Sequence, residues 1–214
     1  MKQPKYPLAK DTIDNDDKKA LAGWILTGER LTMGRLTREF EQKWSQWLGR
    51  KHSVFCNSGS SANLLMYAAL MESGRLRNGK VIVPSVGWVT TIAPVMQLRG
   101  FKAPIMCEAD SDTFGLDLNH LEDLLKKNHP ATVMMVQVLG VPNKMEEILQ
   151  LKDRYGFYLL EDSCAAGGSS YKNKKVGTFG DMSSFSSYFE HQFSTIEGGL
   201  VSTDDRALYN LMLM

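Results

Sequence analysis

The chain has 214 residues, 43% of them hydrophobic, and a formal net charge of +1. That size suits one globular domain, or one large domain with part of a second, and the charge gives no electrostatic ground for nucleic acid or an anionic membrane as main partner. Cys56, Cys107 and Cys164 form no C-x-x-C pair. Their spacing argues against zinc and against a disulfide framework, and for a reducing, cytoplasmic setting in which they act as buried small hydrophobes. The opening "MKQPKYPLAKDTIDNDDKK" has no apolar signal core, and no window holds about 18 uninterrupted apolar residues, so a soluble protein is expected.

An extended arm is expected first. "DDKKALAGWILTGE" and "LTREFEQKWSQWLG" then carry apolar residues at helical spacing, with Gly49 as a C-terminal cap. Alternation of strand and helix follows. "HSVFC" precedes helix "SSANLLMYAALMESG", and "KVIVP" precedes "WVTTIAPVMQLRG", which Pro94 weakens without breaking. "FKAPIMCE" precedes helix "NHLEDLLKKNH", "ATVMMVQVLG" precedes helix "KMEEILQLKDRYG", and strand "FYLLED" ends in two carboxylates. Beyond residue 170, Gly- and Ser-rich turns separate the short strands "GDMSSFSS" and "GGLVSTD". The last run, "DDRALYNLMLM", starts at an Asp cap and meets no stop signal, so the chain is expected to end inside a helix and to be a fragment. Near-continuous apolar strands alternating with helices predict an α/β fold with a mainly parallel sheet between helices. In such sheets ligands gather at the carboxyl ends of the strands.

Four features there bear on chemistry. In "CNSGSSANLL" a strand ends, hydroxyl residues flank Gly59 and a helix begins. Free amides, helix dipole and Ser60 make either a phosphate cradle or a plain Ser N-cap; neither the Walker nor the dinucleotide glycine pattern is present. Asp162, at the end of "GFYLLED", needs a cationic partner if buried, such as the protonated ring nitrogen of a pyridoxal cofactor, unless it caps the next turn. Trp88 follows a strand, where its indole stacks on a planar ring or joins the core. In "SSYFEHQFSTIEGG", Ser186 lies five residues before His191, and Gly198 and Gly199 require positive φ or a close backbone approach.

Together and in this order, these stretches resemble the DegT/DnrJ/EryC1/StrS group of fold-type-I, pyridoxal-phosphate-dependent nucleotide-sugar enzymes. The similarity runs nearly end to end, through "LTMGRLTREFEQKWSQWLG", "NSGSSANLL", "VGWVTTIAPVMQLRG", "VMMVQVLGVPNKMEEI", "LLEDSCAAGGSSYKNKKVGTFGD" and "FSSYFEHQFSTIEGGLVSTDD". The resemblance implies a seven-stranded, mainly parallel sheet, with residues 1–30 an arm and helix and residues 31–214 the large cofactor-binding domain, the small C-terminal domain being absent. It implies that Gly59, Ser60 and Ser186 hold the cofactor phosphate, Trp88 stacks on the pyridine ring, and Asp162 pairs with the ring nitrogen. It also implies a homodimer, with active sites completed across the interface.

His191 falls where aminotransferase members of that group carry their Schiff-base lysine. Imidazole forms no stable Schiff base, so ordinary amine transfer is lost, and Lys172, Lys174 and Lys175 lie outside the motif. The resemblance is closest to the sugar 3-dehydratase branch, of the GDP-4-keto-6-deoxymannose 3-dehydratase kind. There a histidine base works beside non-covalently held pyridoxamine 5'-phosphate, with glutamate as amino donor and a nucleotide-linked 4-keto-6-deoxy sugar as substrate. His191 is then the catalytic base; the alternatives are an aminotransferase-like protein inactive in transamination and a non-catalytic remnant of the fold. Gln192 stands where that branch usually has a second histidine, and Ala165 where the family has an acid or Gln. Glu190 either pairs with His191 or faces solvent.

Overall fold

The computed structural model describes residues 12–214. The arm expected at the start falls mostly on residues 1–11, outside the described residues. Helix α1 (Asn15–Ile25) opens with a reciprocal cap: the Asp14 carboxylate accepts from the amides of Asp16 and Asp17, and the Asp17 carboxylate from that of Asp14. Helix α2 (Arg35–Leu48) ends at Gly49 in the left-handed conformation, as its sequence predicts. Strand and helix then alternate: β1 (His52–Cys56), α3 (Gly59–Glu72), β2 (Val81–Pro84), α4 (Val89–Gln97), β3 (Ile105–Cys107), α5 (Leu118–Asn128), β4 (Thr132–Val136), α6 (Met145–Tyr155) and β5 (Tyr158–Asp162). A small hairpin, β6 (Ser170–Tyr171) with β7 (Lys174–Lys175), precedes β8 (Met182–Ser186), β9 (Gly199–Thr203) and α7 (Arg206–Met212).

Seven strands form one sheet in the order β1-β9-β8-β5-β4-β2-β3. Only β9 runs against the others, pairing antiparallel with both β1 and β8. The expected mainly parallel seven-stranded sheet is therefore present. Every residue of β4, β8 and β9 is buried; in β4 this accounts for the continuous rather than alternating apolar run, while β8 and β9 bury serines and a threonine as well. On one face, Met134, Leu160 and Val201 pack with Met66, Tyr67 and Leu70 of α3 and Leu208 of α7. On the other, Val133, Met135 and Leu159 pack with Leu121 and Leu125 of α5 and with Met145 and Ile148 of α6. Trp44 and Leu48 of α2 cover Phe185 and Leu200. Each such fully buried side chain contributes about 1.5–3 kcal/mol.

Some elements are shorter than the apolar runs suggest. The strand in "ATVMMVQVLG" stops at Val136, because Leu139 takes a left-handed backbone (φ 51°) inside a short 3-10 turn over Val138–Gly140. "FKAPIMCE" yields only three strand residues. Helix α4 accepts Pro94 in its interior but ends at Gln97. Of the cysteines, only Cys107 is buried; Cys56 and Cys164 are partly exposed. Among the described residues, no helix is long and apolar enough to cross a membrane.

The two carboxylates that end β5 leave the sheet on opposite faces, as alternation along a strand demands. Glu161 is fully buried and accepts backbone N–H bonds from Gly177 (2.8 Å), Phe179 (2.7 Å) and Gly180 (2.5 Å). Arg50 lies 3.8 Å from it and closes the same turn by donating to the carbonyls of Gly177 and Gly180. Glu161→Ala would take the acceptor from the Gly177, Phe179 and Gly180 amides and from the Gln137 side chain, while Arg50 keeps Asp204 (2.9 Å). It should lower the unfolding free energy by on the order of 3–5 kcal/mol, read as a lower denaturant midpoint, with Glu161→Gln costing less.

Candidate active site

A cleft of about 730 Å³ opens along the carboxyl ends of the parallel strands. Gly59 and Ser60 come to it from the first turn of α3, Trp88 from the turn after β2, Asp162 from the end of β5, and Ser186 and His191 from the end of β8 and the loop beyond. All six residues singled out in the sequence line this one space. Parallel strands bring their carboxyl ends to one edge, so residues up to 132 positions apart in the chain converge there.

One end of the cleft is formed by the start of α3 and the end of β8. Ser58 caps α3 by accepting from the Ser61 amide (3.1 Å), while the first amides of the helix, at Gly59 and Ser60, have no acceptor within it. The Ser60 hydroxyl takes a bond from Thr90 Oγ1 (3.1 Å), and the Ser186 hydroxyl one from the Tyr188 amide (3.3 Å). Ser58 is thus the N-cap, and Ser60 and Ser186 line the cleft beside it. The glycines give the backbone its close approach. A Cβ on Gly59 would sit 2.6 Å from Ser186 Cβ and 2.8 Å from Cys164 Sγ; one on Gly199 would sit 2.7 Å from the Gly59 nitrogen. Neither Gly198 nor Gly199 has positive φ, so close approach is the reason for that pair.

At the floor of the cleft, Asp162 is 3% exposed. One carboxylate oxygen accepts from Asn63 Nδ2 (2.9 Å) and Thr91 Oγ1 (2.6 Å), the other from the Cys164 amide (3.1 Å). It thus caps the next turn, as one sequence reading has it. All three donors are neutral, which leaves the buried charge without a cationic partner among the described residues and suits it to a protonated ring nitrogen. Trp88, at the start of α4, is 69% exposed, so it does not belong to the core; its indole stands free at the cleft. The carboxylate, the free indole and the anion cradle match the base, face and phosphate of a pyridoxal-type group, and these residues would hold one.

His191 is half-buried, and its imidazole makes no hydrogen bond among the described residues; only its backbone amide is bound, to the Tyr188 carbonyl (3.0 Å). Burial draws its pKa below 6.5, against the opposing pull of the Asp162 and Glu190 charges. Near neutral pH the ring is therefore uncharged and able to accept a proton. Glu190 is exposed and forms no ion pair with His191, which decides between its two readings. The nearby lysines are engaged elsewhere: Lys172 with Glu146, Lys174 over the Phe179 ring, and Lys175 on the Trp47 carbonyl and ring. None lines the cleft.

Sequence reasoning missed the supports of Asp162. Ser184 Oγ donates to Asn63 Oδ1 (2.6 Å), and the Tyr67 hydroxyl to the Thr91 carbonyl (3.2 Å). Asn63 lies four residues after Gly59, hence on the same helical face, and this spacing was the available signal. Asn63→Leu should cost about 1–3 kcal/mol of stability, measured by denaturant unfolding, since it takes one of three donors from the Asp162 carboxylate and the short acceptor from the Ser184 hydroxyl. His191 supplies a pH test. Because folding depresses its pKa, its contribution to stability is full above 6.5 and is lost as pH falls toward the folded value. Its ring resonances should accordingly titrate below 6.5 in the folded protein, and a midpoint above that value would contradict the burial seen here.

The site's geometry agrees with what the chain is similar to. Residues 11–214 match the DegT/DnrJ/EryC1/StrS aminotransferase family. The chain is 37% identical over 211 residues to a GDP-4-keto-6-deoxy-D-mannose 3-dehydratase of Escherichia coli O55:H7, covering 97% of this chain and 53% of that protein. It is 36% identical over 211 residues to the enzyme of the same name from Yersinia pseudotuberculosis, with the same coverage. A solved structure of GDP-4-keto-6-deoxymannose-3-dehydratase with a trapped PLP-glutamate geminal diamine is similar at a TM-score of 0.88 and 36% identity, covering 98% of this chain and 54% of that one. The chain spans about half the length of these relatives. With a family match over nearly all its residues, the chain belongs to the DegT/DnrJ/EryC1/StrS aminotransferase family.

Proposed function

We propose that the protein is a nucleotide-sugar 3-dehydratase that holds pyridoxamine 5'-phosphate without a covalent bond and uses His191 as its catalytic base. One observation carries this reading: among the described residues, a half-buried histidine with no side-chain hydrogen bond, and no lysine, lines the cleft that also contains Asp162, Ser186 and the start of α3. When bound, the cofactor supplies an amine for the sugar's 4-keto carbon and an electron sink that lets the C3 hydroxyl leave.

The remaining work falls to side chains of this chain. The α3 amides with Ser60 and Ser186 bind the phosphate, and the Asp162 carboxylate holds the ring nitrogen protonated. Trp88 covers one ring face. The neutral His191 imidazole would accept, at a ring nitrogen, the proton given up by the amine-bearing carbon of the group and hand it to the C3 hydroxyl, which leaves as water. Transfer of the amine to the sugar finds no support, because each lysine that follows β5 near the cleft is bound elsewhere.

The relatives named as GDP-4-keto-6-deoxy-D-mannose 3-dehydratases point to a GDP-linked 4-keto-6-deoxy sugar as substrate, and the solved PLP-glutamate adduct points to glutamate as the amino donor. A homodimer, in the cytoplasm, completes the proposal. The full-length protein, given pyridoxamine 5'-phosphate, glutamate and the GDP-4-keto-6-deoxy sugar, should remove the 3-hydroxyl in a glutamate-dependent manner. His191→Asn should slow this by about 10²–10⁴-fold, and the acid limb of kcat/KM should lie below pH 6.5. A stable amino sugar as product would reject the dehydratase.

Binding of the cofactor is tested separately. Pyridoxamine 5'-phosphate should produce a saturable absorbance change, which Gly59→Ala should weaken, because the new methyl would displace Ser186 or Cys164 from the anion end. No saturable change in the wild-type protein would mean that the cleft does not take this group.

A further inference from the structure

Gln192 departs from the pattern of the branch that the chain resembles, and the assigned roles leave it without one. Its side chain spans two loops. Nε2 donates to the Ala165 carbonyl (2.8 Å), and Oε1 accepts from the Gly167 amide (3.3 Å). Both ends of the amide are therefore bound to the turn that follows Asp162, while the next residue back along the chain is His191. Phe193 docks on the same place. A Cβ on Gly167 would lie 3.2 Å from the Phe193 ring and 3.4 Å from Gln192 Oε1, and that ring packs 4.8 Å from Trp44.

His191 has no side-chain hydrogen bond among the described residues to fix its ring. Where the imidazole sits is set by its backbone, and the side-chain bonds nearest to that backbone are those of Gln192. The Ala165 carbonyl belongs to a residue that lines the cleft, three positions after Asp162. A side chain at position 192 thereby ties the loop that carries the base to the turn that carries the buried carboxylate.

We propose that Gln192 is a positioning residue that fixes His191 at its distance from Asp162 by bridging the 188–193 loop to Ala165 and Gly167. The proposal rests on the reading of His191 as the base, in so far as it concerns turnover. The position of the ring can be measured without turnover.

Gln192→Met keeps the length and volume of the side chain and removes both bonds. With the bridge gone, the His191 ring gains water, and its NMR titration midpoint should move up toward 6.5 in the cofactor-free full-length protein. In the loaded enzyme kcat should fall by on the order of 10- to 100-fold, with KM for the sugar nearly unchanged. The melting temperature serves as the folding control, and Gln192→Ala provides the same comparison if methionine disturbs the fold. A His191 titration identical to wild type in either variant would overturn the proposal, whatever the activity. Should His191→Asn retain full turnover while Gln192→Met still shifts the titration, the base reading fails and the positioning role stands.

Discussion

The structure turns on two adjacent carboxylates at the end of β5, both taken out of water. Alternation along the strand sends Glu161 to one face and Asp162 to the other. A buried charge is tolerated only with a full set of donors, so each carboxylate organises the chain around it. Glu161 gathers three backbone amides and draws in Arg50, which holds the 177–180 turn and with it the entry to β8. Asp162 gathers Asn63 from α3 and Thr91 from α4, which fixes both helices against the strand end. The turn that leads into β8 and the floor of the cleft are thus anchored on the same dipeptide.

The anion end depends on a different constraint, the closeness of backbones. Ser186 can approach Gly59, and β9 can pass behind the start of α3, only where there is no Cβ. This brings the Ser186 hydroxyl to the first turn of α3 and leaves free amides facing the cleft. The loop from Tyr188 to Gly198 is then held at both ends, by β8 and β9, and His191 projects from it into a space bounded by Asp162 on one side and by exposed Trp88 on another. Its pKa falls because that space is partly closed to water.

Much of this was legible from residues alone. Alternating apolar runs led to the parallel sheet, and Gly49 and Asp205 marked helix ends where the structure has them. The six candidate residues converge because strand ends in such sheets share an edge. What escaped was conformation and partnership at long range. Nothing in "QVLG" signals that a leucine adopts left-handed φ and ends the strand early. Asn63 and Thr91 sit in helical runs that read as packing, and their tie to Asp162 spans 99 and 71 residues. Ala165 and Gln192 looked like separate departures from a family pattern; in space they are hydrogen-bonded to each other.

The central claim is that this cleft receives a pyridoxal-type cofactor with histidine where a lysine would form a covalent bond. Reaction of the full-length protein with pyridoxal 5'-phosphate, followed by borohydride reduction and peptide mapping, tests it most directly. The wild-type protein should bind the cofactor yet show no stoichiometric label on any lysine, whereas His191→Lys should become labelled at position 191. Stoichiometric labelling of a native lysine, or failure of His191→Lys to be labelled, would contradict the account.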